Sequence, residues 1–157
     1  MNRIGNVCLQ DLSGVRELNT LLKIPLKNMD AGNFYWDTVP YIEAAIKQNR
    51  CFVIKDGASI KAAMIMEFRN PDKQYPLQSL AIGTLSVHSE FRRNGLGVQF
   101  VEYAKAIAQK ENQRLYVESF LEFRQLSFYK RLGFTEAPRK AYYGRPYHVL
   151  FIDPQNI

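Results

Sequence analysis

The stretch Thr84-Leu85-Ser86-Val87-His88-Ser89-Glu90-Phe91-Arg92-Arg93-Asn94-Gly95-Leu96-Gly97 constrains the fold more than any other part of the chain. Thr84, Leu85 and Val87 are strand formers, and polar Ser89-Glu90 ends their run. Two arginines and two glycines separated by one residue follow. Beyond them Val98, Phe100, Val101, Ala104, Ile107 and Ala108 recur at intervals of three and four, the period of a helix with one apolar face. Strand, basic glycine turn and helix in that order bring unpaired backbone N–H groups and the positive helix end to one point. Glycine permits positive φ and lets a ligand approach the main chain closely. The expected ligand of such a turn is a pyrophosphate.

Residue type excludes two nucleotide-binding patterns. The dinucleotide fingerprint needs a third glycine after Gly97, where Phe100 stands, and a P-loop needs Gly-Lys-Ser/Thr, which occurs nowhere in the chain. Arg92-x-x-Gly95-x-Gly97 instead resembles the acyl-CoA signature Arg/Gln-x-x-Gly-x-Gly/Ala of the GNAT superfamily of N-acetyltransferases. Taken alone, these residues could also be a turn that merely joins a strand to a helix. A second stretch, Phe123-Arg124-Gln125-Leu126-Ser127-Phe128-Tyr129-Lys130-Arg131-Leu132-Gly133-Phe134, resembles the short helix of the same family, which ends in Leu/Phe-Tyr-x-x-x-Gly-Phe. Lys130 and Arg131 fall in its last turn with Gly133 behind them, both C-terminal helix signals. With strand-like Leu115–Ser119 between the two motifs, the chain is identified by resemblance as a GNAT member over residues 78–137.

The resemblance implies an α/β (α+β) fold, a mixed and mostly antiparallel central sheet flanked by helices, in a single domain over residues 1–157. It implies acetyl-CoA as co-substrate and direct transfer of the acetyl group from the thioester to a primary amine. Leu85, Ser86 and Val87 would pair their backbone with the pantetheine arm. The N–H groups of Arg93, Asn94, Gly95, Leu96, Gly97 and Val98 would cradle the pyrophosphate, with Arg92 and Arg93 adding charge. Tyr129 matches the family tyrosine near the coenzyme sulfur. It would act as general acid on the departing thiolate, since a phenol stays protonated at neutral pH while a free thiol has a pKa of about 8.5. A core aromatic on a short helix is the other reading of Tyr129.

Two features depart from the family pattern. Glu122 stands seven residues before Tyr129, where relatives often carry an asparagine against the pantetheine arm. A carboxylate there accepts hydrogen bonds but cannot donate one. The strand before the loop offers Ala81, Ile82 and Gly83, with neither carboxylate nor histidine. Glu118 or Glu67 remains as a candidate general base; each equally fits an ordinary surface or salt-bridged carboxylate, and a water relay needs neither. His88 fits a structural role. These departures keep a second class of function open: a non-catalytic or weakly catalytic acyl-CoA-binding module acting as a sensor or regulatory partner.

Charge supports a polyanionic ligand. From Arg92 to Arg145 eleven Lys/Arg stand against five Asp/Glu, the whole of the formal +6, while ten of each sign lie outside that window. Coenzyme A, with a pyrophosphate and a ribose phosphate, carries about four negative charges and suits such a basic half. A basic protein can also bind nucleic acid; the window has no basic run of five or more, which makes that the minor reading. No apolar run approaches the roughly 20 residues that span a bilayer, and Met1–Cys8 lacks the apolar core of a signal peptide. A cytoplasmic protein is expected, with Cys8 and Cys51 reduced and far apart. His88 and His148 are the only histidines, so no metal site is expected.

Taken in order, the chain opens with a strand at Arg3–Leu9. Asp11 or Ser13 would cap a helix burying Val15, Leu18, Leu21 and Leu22. Residues 23–39 read as irregular, and a second helix starting near Thr38–Pro40 turns Ile42, Ala45 and Ile46 inward. A hairpin follows, Cys51–Lys55 and Ile60–Phe68, around Asp56-Gly57. Asn70–Pro76 is a loop, Ser79–Val87 the strand into the motif, and the helix from Gly97 runs to about Lys110. In the tail, Gly144-Arg145-Pro146 interrupts 142–149, and a last strand lies near His148–Ile152. In relatives the amine acceptor is lined by the segment between the first two helices and the loop before the last strand. The matching aromatics here are Phe34, Tyr35 and Trp36, then Tyr142, Tyr143 and Tyr147. They would form an aromatic pocket for an amine cation or pack in the core or a homodimer interface.

Overall fold

The computed structural model describes residues 3–22, 35–68, 79–142 and 144–157. Ile4–Asn6 (β1) is short; the strand expected to reach Leu9 stops early because Leu9–Asp11 turns into a 3-10 helix. Leu12–Asn19 (α1) follows, with Val15, Leu18 and Asn19 buried at helical spacing. Asp11 sits at its N-cap position but does not bond into it. Its carboxylate accepts from the Cys8 N–H at 3.2 Å and pairs with Lys55 Nζ at 2.8 Å. Leu21 was expected on the buried face; the chain tightens into a 3-10 turn at Thr20–Leu22 and leaves it 48% exposed. Val39–Lys47 (α2) begins after extended Thr38 with Pro40 in its first turn, where the missing N–H costs nothing. It buries Ile42, Ala45 and Ile46, as its periodicity predicts.

Cys51–Asp56 (β2) pairs antiparallel with β1 and with Ser59–Phe68 (β3), whose first contact across the hairpin is Asp56 with Ser59. The predicted loop Asn70–Pro76 lies outside the described residues. Leu80–Val87 (β4) leads to the motif, and Leu96–Lys110 (α3) buries Phe100, Val101, Ala104 and Ala108. Val98, placed on that apolar stripe by its spacing, is 41% exposed, because the buried face recurs every four residues through Leu96, Phe100, Ala104 and Ala108, and Val98 lies two residues off it. Leu115–Phe120 (β5) runs parallel to β4, in register Leu80 with Leu115 through Ile82 with Val117. The short helix Leu126–Arg131 (α4) comes next.

Thr135–Tyr142 (β6) and Arg145–Ile152 (β7) form a hairpin that the sequence reading did not anticipate. Pro138 and the charges around it hide β6 from a strand search. The strand tolerates Pro138 because the β6–β7 register shifts between Ala137 and Lys140, and β6 comes last in the strand order. Arg145-Pro146 therefore begins β7 rather than interrupting it. The strands run β1-β2-β3-β4-β5-β7-β6, a seven-stranded mixed sheet, mostly antiparallel and flanked by helices, as the fold class predicts.

The chain groups into two compact units, Met1–Met66 with Gly83–Phe100, and Glu67–Ile82 with Val101–Ile157. In the first, Val15, Leu18, Ile42, Ala45 and Ile46 from the helices pack on Cys51, Val53, Ala63 and Ile65 of the hairpin. In the second, Ala81, Tyr116 and Val149 form a buried cluster edged by Ala137, Tyr147 and Phe151. There Arg114 forks onto Asp153, with bonds of 2.6 and 3.3 Å, and lies over the Phe151 ring at 4.2 Å. A fork of this kind suits arginine's planar donors.

Candidate functional site

The glycine turn is built by backbone geometry inside the first unit. The His88 N–H donates to the Lys61 carbonyl at 2.8 Å and fixes where β4 ends. The Phe91 N–H returns to the His88 carbonyl at 2.9 Å, and the Glu90 N–H donates to His88 Nδ1 at 3.3 Å. His88 thus caps the Ser89–Phe91 turn, the structural role expected of it. The main chain then turns through two residues of positive φ, Arg93 at 65° and Gly95 at 75°. The first intrahelical bond of α3 is Gln99 N–H to Gly95 carbonyl, 3.0 Å. The N–H groups of Leu96, Gly97 and Val98 consequently have no intrahelical acceptor. A Cβ placed on Gly95 would meet nothing within 4 Å, so the main chain there faces open space. Gly97 is helical and its φ is not positive, so its backbone conformation does not require a glycine. These observations fit the turn to a phosphate group.

The predicted cofactor contacts of this unit are contiguous. Leu85 and Val87 are half-buried, Ser86 is buried, Leu96 anchors the helix start at 3% exposure, and Arg92, Arg93, Asn94 and Val98 are exposed. Arg92 folds back so that its Nε donates to the Val87 carbonyl at 3.3 Å. One backbone group expected to meet the pantetheine arm is therefore held by an exposed arginine in this structure.

In the second unit, the Tyr-x-x-x-Gly-Phe spacing resolves into a helix cap. The Phe134 N–H donates to the Tyr129 carbonyl at 3.1 Å, and the Gly133 N–H to the Lys130 carbonyl at 3.0 Å, while Gly133 takes φ 96°. This is the two-bond Schellman pattern with its accompanying apolar contact; the Tyr129 and Phe134 rings meet edge to face at 5.6 Å. Phe128 meets Tyr129 likewise at 5.0 Å. Burial pushes the Tyr129 hydroxyl well above the ordinary phenol range. At neutral pH it keeps its proton and releases it less readily than an ordinary phenol.

Of the remaining candidates, Glu122 is exposed and accepts a bond from Arg145 Nη1 at 3.2 Å. Glu118 is half-buried on β5 opposite Val149, and Glu67 is 9% exposed on β3. Phe34 and Tyr143, and the side chain of Tyr142, lie outside the described residues. Trp36 is a core residue at 7% exposure, whereas Tyr35 is 39% exposed with its ring against Trp36 and Tyr41. Tyr147 packs edge to face on Phe120 at 5.8 Å. Both cysteines are free; burial pushes the Cys51 thiol up to about 12, which removes it as a nucleophile. Among the described residues no cluster of His, Cys, Asp or Glu suits a metal ion, and no helix is long and apolar enough to cross a membrane. Sequence reading passed over Asn19. Its signal was an amide on the buried stripe of α1, next to Leu18, where an apolar residue would serve packing better.

A mostly antiparallel sheet in which β4 and β5 run parallel, a strand that turns through a glycine into a helix N-terminus, and a capped tyrosine helix define a mixed-sheet α/β protein. Residues 47–136 match the model of the acetyltransferase (GNAT) domain, and the chain belongs to that family. No curated protein matches it in sequence. Among solved structures it is similar to Arabidopsis thaliana Naa50 in complex with the bisubstrate analogue CoA-Ac-MVNAL, with 19% identity over 96% of this chain and 97% of that one and a TM-score of 0.73. It is similar to the ribosomal-protein-S18-alanine N-acetyltransferase of Escherichia coli, at 18% identity over 98% and 94%, TM-score 0.70. An N-acetyltransferase of Staphylococcus aureus Mu50 gives 14% identity over 98% and 99%, TM-score 0.74. At these identities the likeness speaks for the fold.

Proposed function

We propose that the chain is a single-domain, acetyl-CoA-dependent N-acetyltransferase acting on a primary amine in the cytoplasm. The observation that carries this reading is the turn through Arg93 and Gly95 into α3, with open space over Gly95 and the first-turn N–H groups without intrahelical acceptors. Backbone of Leu85–Val87 would hold the pantetheine arm, Arg93–Val98 the pyrophosphate, and Arg92 would exchange the Val87 carbonyl for phosphate. The neutral amine attacks the thioester carbonyl, the C–S bond breaks, and the sulfur takes the Tyr129 proton as the N-acetyl product forms. The ammonium proton leaves to Glu118, Glu67 or water, and the Tyr129 phenolate regains a proton from solvent. By the family resemblance Glu122, which accepts from Arg145, would stand in for the asparagine that contacts the arm. Supporting this reading, two of the similar structures are named for N-acetyl transfer and a third holds a CoA–peptide analogue.

The test is release of free thiol from acetyl-CoA over a panel of amines that includes the peptide MVNAL, alongside calorimetry. An N-acetyltransferase releases thiol in step with one acceptor of the panel. A sensor module binds acetyl-CoA and releases none. Equal binding of ATP and acetyl-CoA would argue against both.

A further inference from the structure

The turn Tyr35–Asp37 is clamped carbonyl by carbonyl. The Tyr35 carbonyl accepts from the Thr38 N–H at 3.3 Å and the Thr38 hydroxyl at 2.7 Å. The Trp36 carbonyl accepts from Asn19 Nδ2 at 2.6 Å, and the Asp37 carbonyl from Arg16 Nε at 2.9 Å. Arg16 and Asn19 lie three apart on α1 and so on one face of it. Asn19 has a second partner, for the Ser86 hydroxyl donates to its Oδ1 at 3.3 Å. A carbonyl can only accept, which forces the amide nitrogen toward Trp36 and the amide oxygen toward Ser86. Asn19 is fully buried and Ser86 is 3% exposed, so water cannot replace either bond.

The two bonds are unequal. The Asn19–Trp36 bond is short, while 3.3 Å is beyond the usual 2.5–3.0 Å of an O–H···O bond. The slack is thus on the β4 side, in the residue whose backbone is flanked by Leu85 and Val87. Thr84 shares that face of β4. It is 4% exposed, and its hydroxyl has no partner among the described residues, so the same face holds a further hydroxyl for a rearranged network.

We infer that Asn19 is a positioning residue coupling the acyl-CoA strand to the aromatic turn: pairing of a pantetheine arm with Leu85–Val87 moves Ser86, and Asn19 passes that movement to Trp36. The inference rests on the acyl-CoA reading above. Its consequence is reciprocal, because whatever the turn binds must change acetyl-CoA affinity by the same factor.

Trp36 is the single tryptophan, so its emission reports on the turn directly. Asn19→Ala leaves a buried carbonyl unpaired and can fail to fold, so Ser86→Ala carries the test. The probe is acetyl-CoA, followed by Trp36 emission and by calorimetry on the same samples. The parent protein should show a saturable emission change at the calorimetric midpoint. At saturating acetyl-CoA, Ser86→Ala should lose most of that amplitude, about fivefold or more, whatever its calorimetric affinity. Ser86→Thr, which keeps the hydroxyl, should restore it. A full emission change in Ser86→Ala, or a parent that binds with no emission change, overturns the coupling. No calorimetric binding overturns the acyl-CoA reading itself, and the coupling with it.

Discussion

The Phe134 N–H bonds to the Tyr129 carbonyl while the two rings meet edge to face at 5.6 Å, so one residue fixes both the backbone and the ring of the other. The pivot between them is Gly133, at φ 96°. A side chain at that φ costs about 1–2 kcal/mol, and a Cβ would also lie 3.3 Å from Ile152 Cδ1. Gly133→Ala should lower Tm by roughly 2–8 °C. It should also slow acetyl transfer on the order of 100-fold if the ring shifts by about 1 Å. A calorimetric scan and a thiol-release assay on one preparation check both. An unchanged rate in a destabilised variant would show that the cap serves only the fold.

Tyr129→Phe removes one hydroxyl from a buried ring and leaves its contacts with Phe128 and Phe134. General-acid assistance is typically worth about 10²–10⁴-fold. The expected loss is of that order in kcat, with acetyl-CoA affinity unchanged by calorimetry. A several-fold loss would mean that water protonates the thiolate.

Gly95→Asp places a carboxylate where the open main chain of the turn is expected to meet phosphate. Two charges about 4 Å apart repel by about 4 kcal/mol at an effective dielectric of 20, roughly 10²–10³ in affinity. Asp tolerates positive φ better than most residues, and a Cβ meets no neighbour within 4 Å, so the protein should stay folded. Gly95→Asn, of similar shape and no charge, should retain much more affinity. Equal acetyl-CoA affinity in the Asp variant and the parent, both folded, would remove the pyrophosphate from this turn.

Thr84→Val should stabilise. Its buried hydroxyl lacks a partner among the described residues, and removing an unsatisfied buried group without changing shape recovers about 1 kcal/mol or more. Tm should rise by about 2–4 °C. A fall of the same size would indicate an ordered water on Thr84 Oγ1.

Lys130, then His148, hold the Glu136 carboxyl below its ordinary range; Lys130 Nζ lies at 3.3 Å and His148 Nδ1 at 3.3 Å. A carboxyl depressed in the folded state stabilises at pH above its unfolded value of 4.5, and that contribution is lost as pH falls through the lower folded value. Glu136→Gln should therefore be less stable than the parent near pH 7, with the difference shrinking below pH 4.5. Denaturation at the two pH values measures it, and a difference that grows on acidification would contradict the pairing.

Two devices were legible in the sequence because a few consecutive residues encode each of them. The turn at Arg93–Gly95 needs residues that accept positive φ before an apolar helical stripe, and the cap at Gly133–Phe134 needs a glycine behind basic residues; both are local backbone constraints. The helix Val39–Lys47 and the β2–β3 hairpin were legible for the same reason. Strand β6 was not, because Pro138 and its charged neighbours contradict strand propensity, and only pairing with β7 and a register shift accommodate them. The bond from Ser86 to Asn19 spans 67 residues of sequence. Nothing local to either residue specifies it; packing α1 against β4 buries two polar groups that then need one another. The tertiary structure likewise decided that Trp36 is core while Tyr35 is exposed, since burial depends on what packs from far along the chain, and sequence spacing carries no record of that.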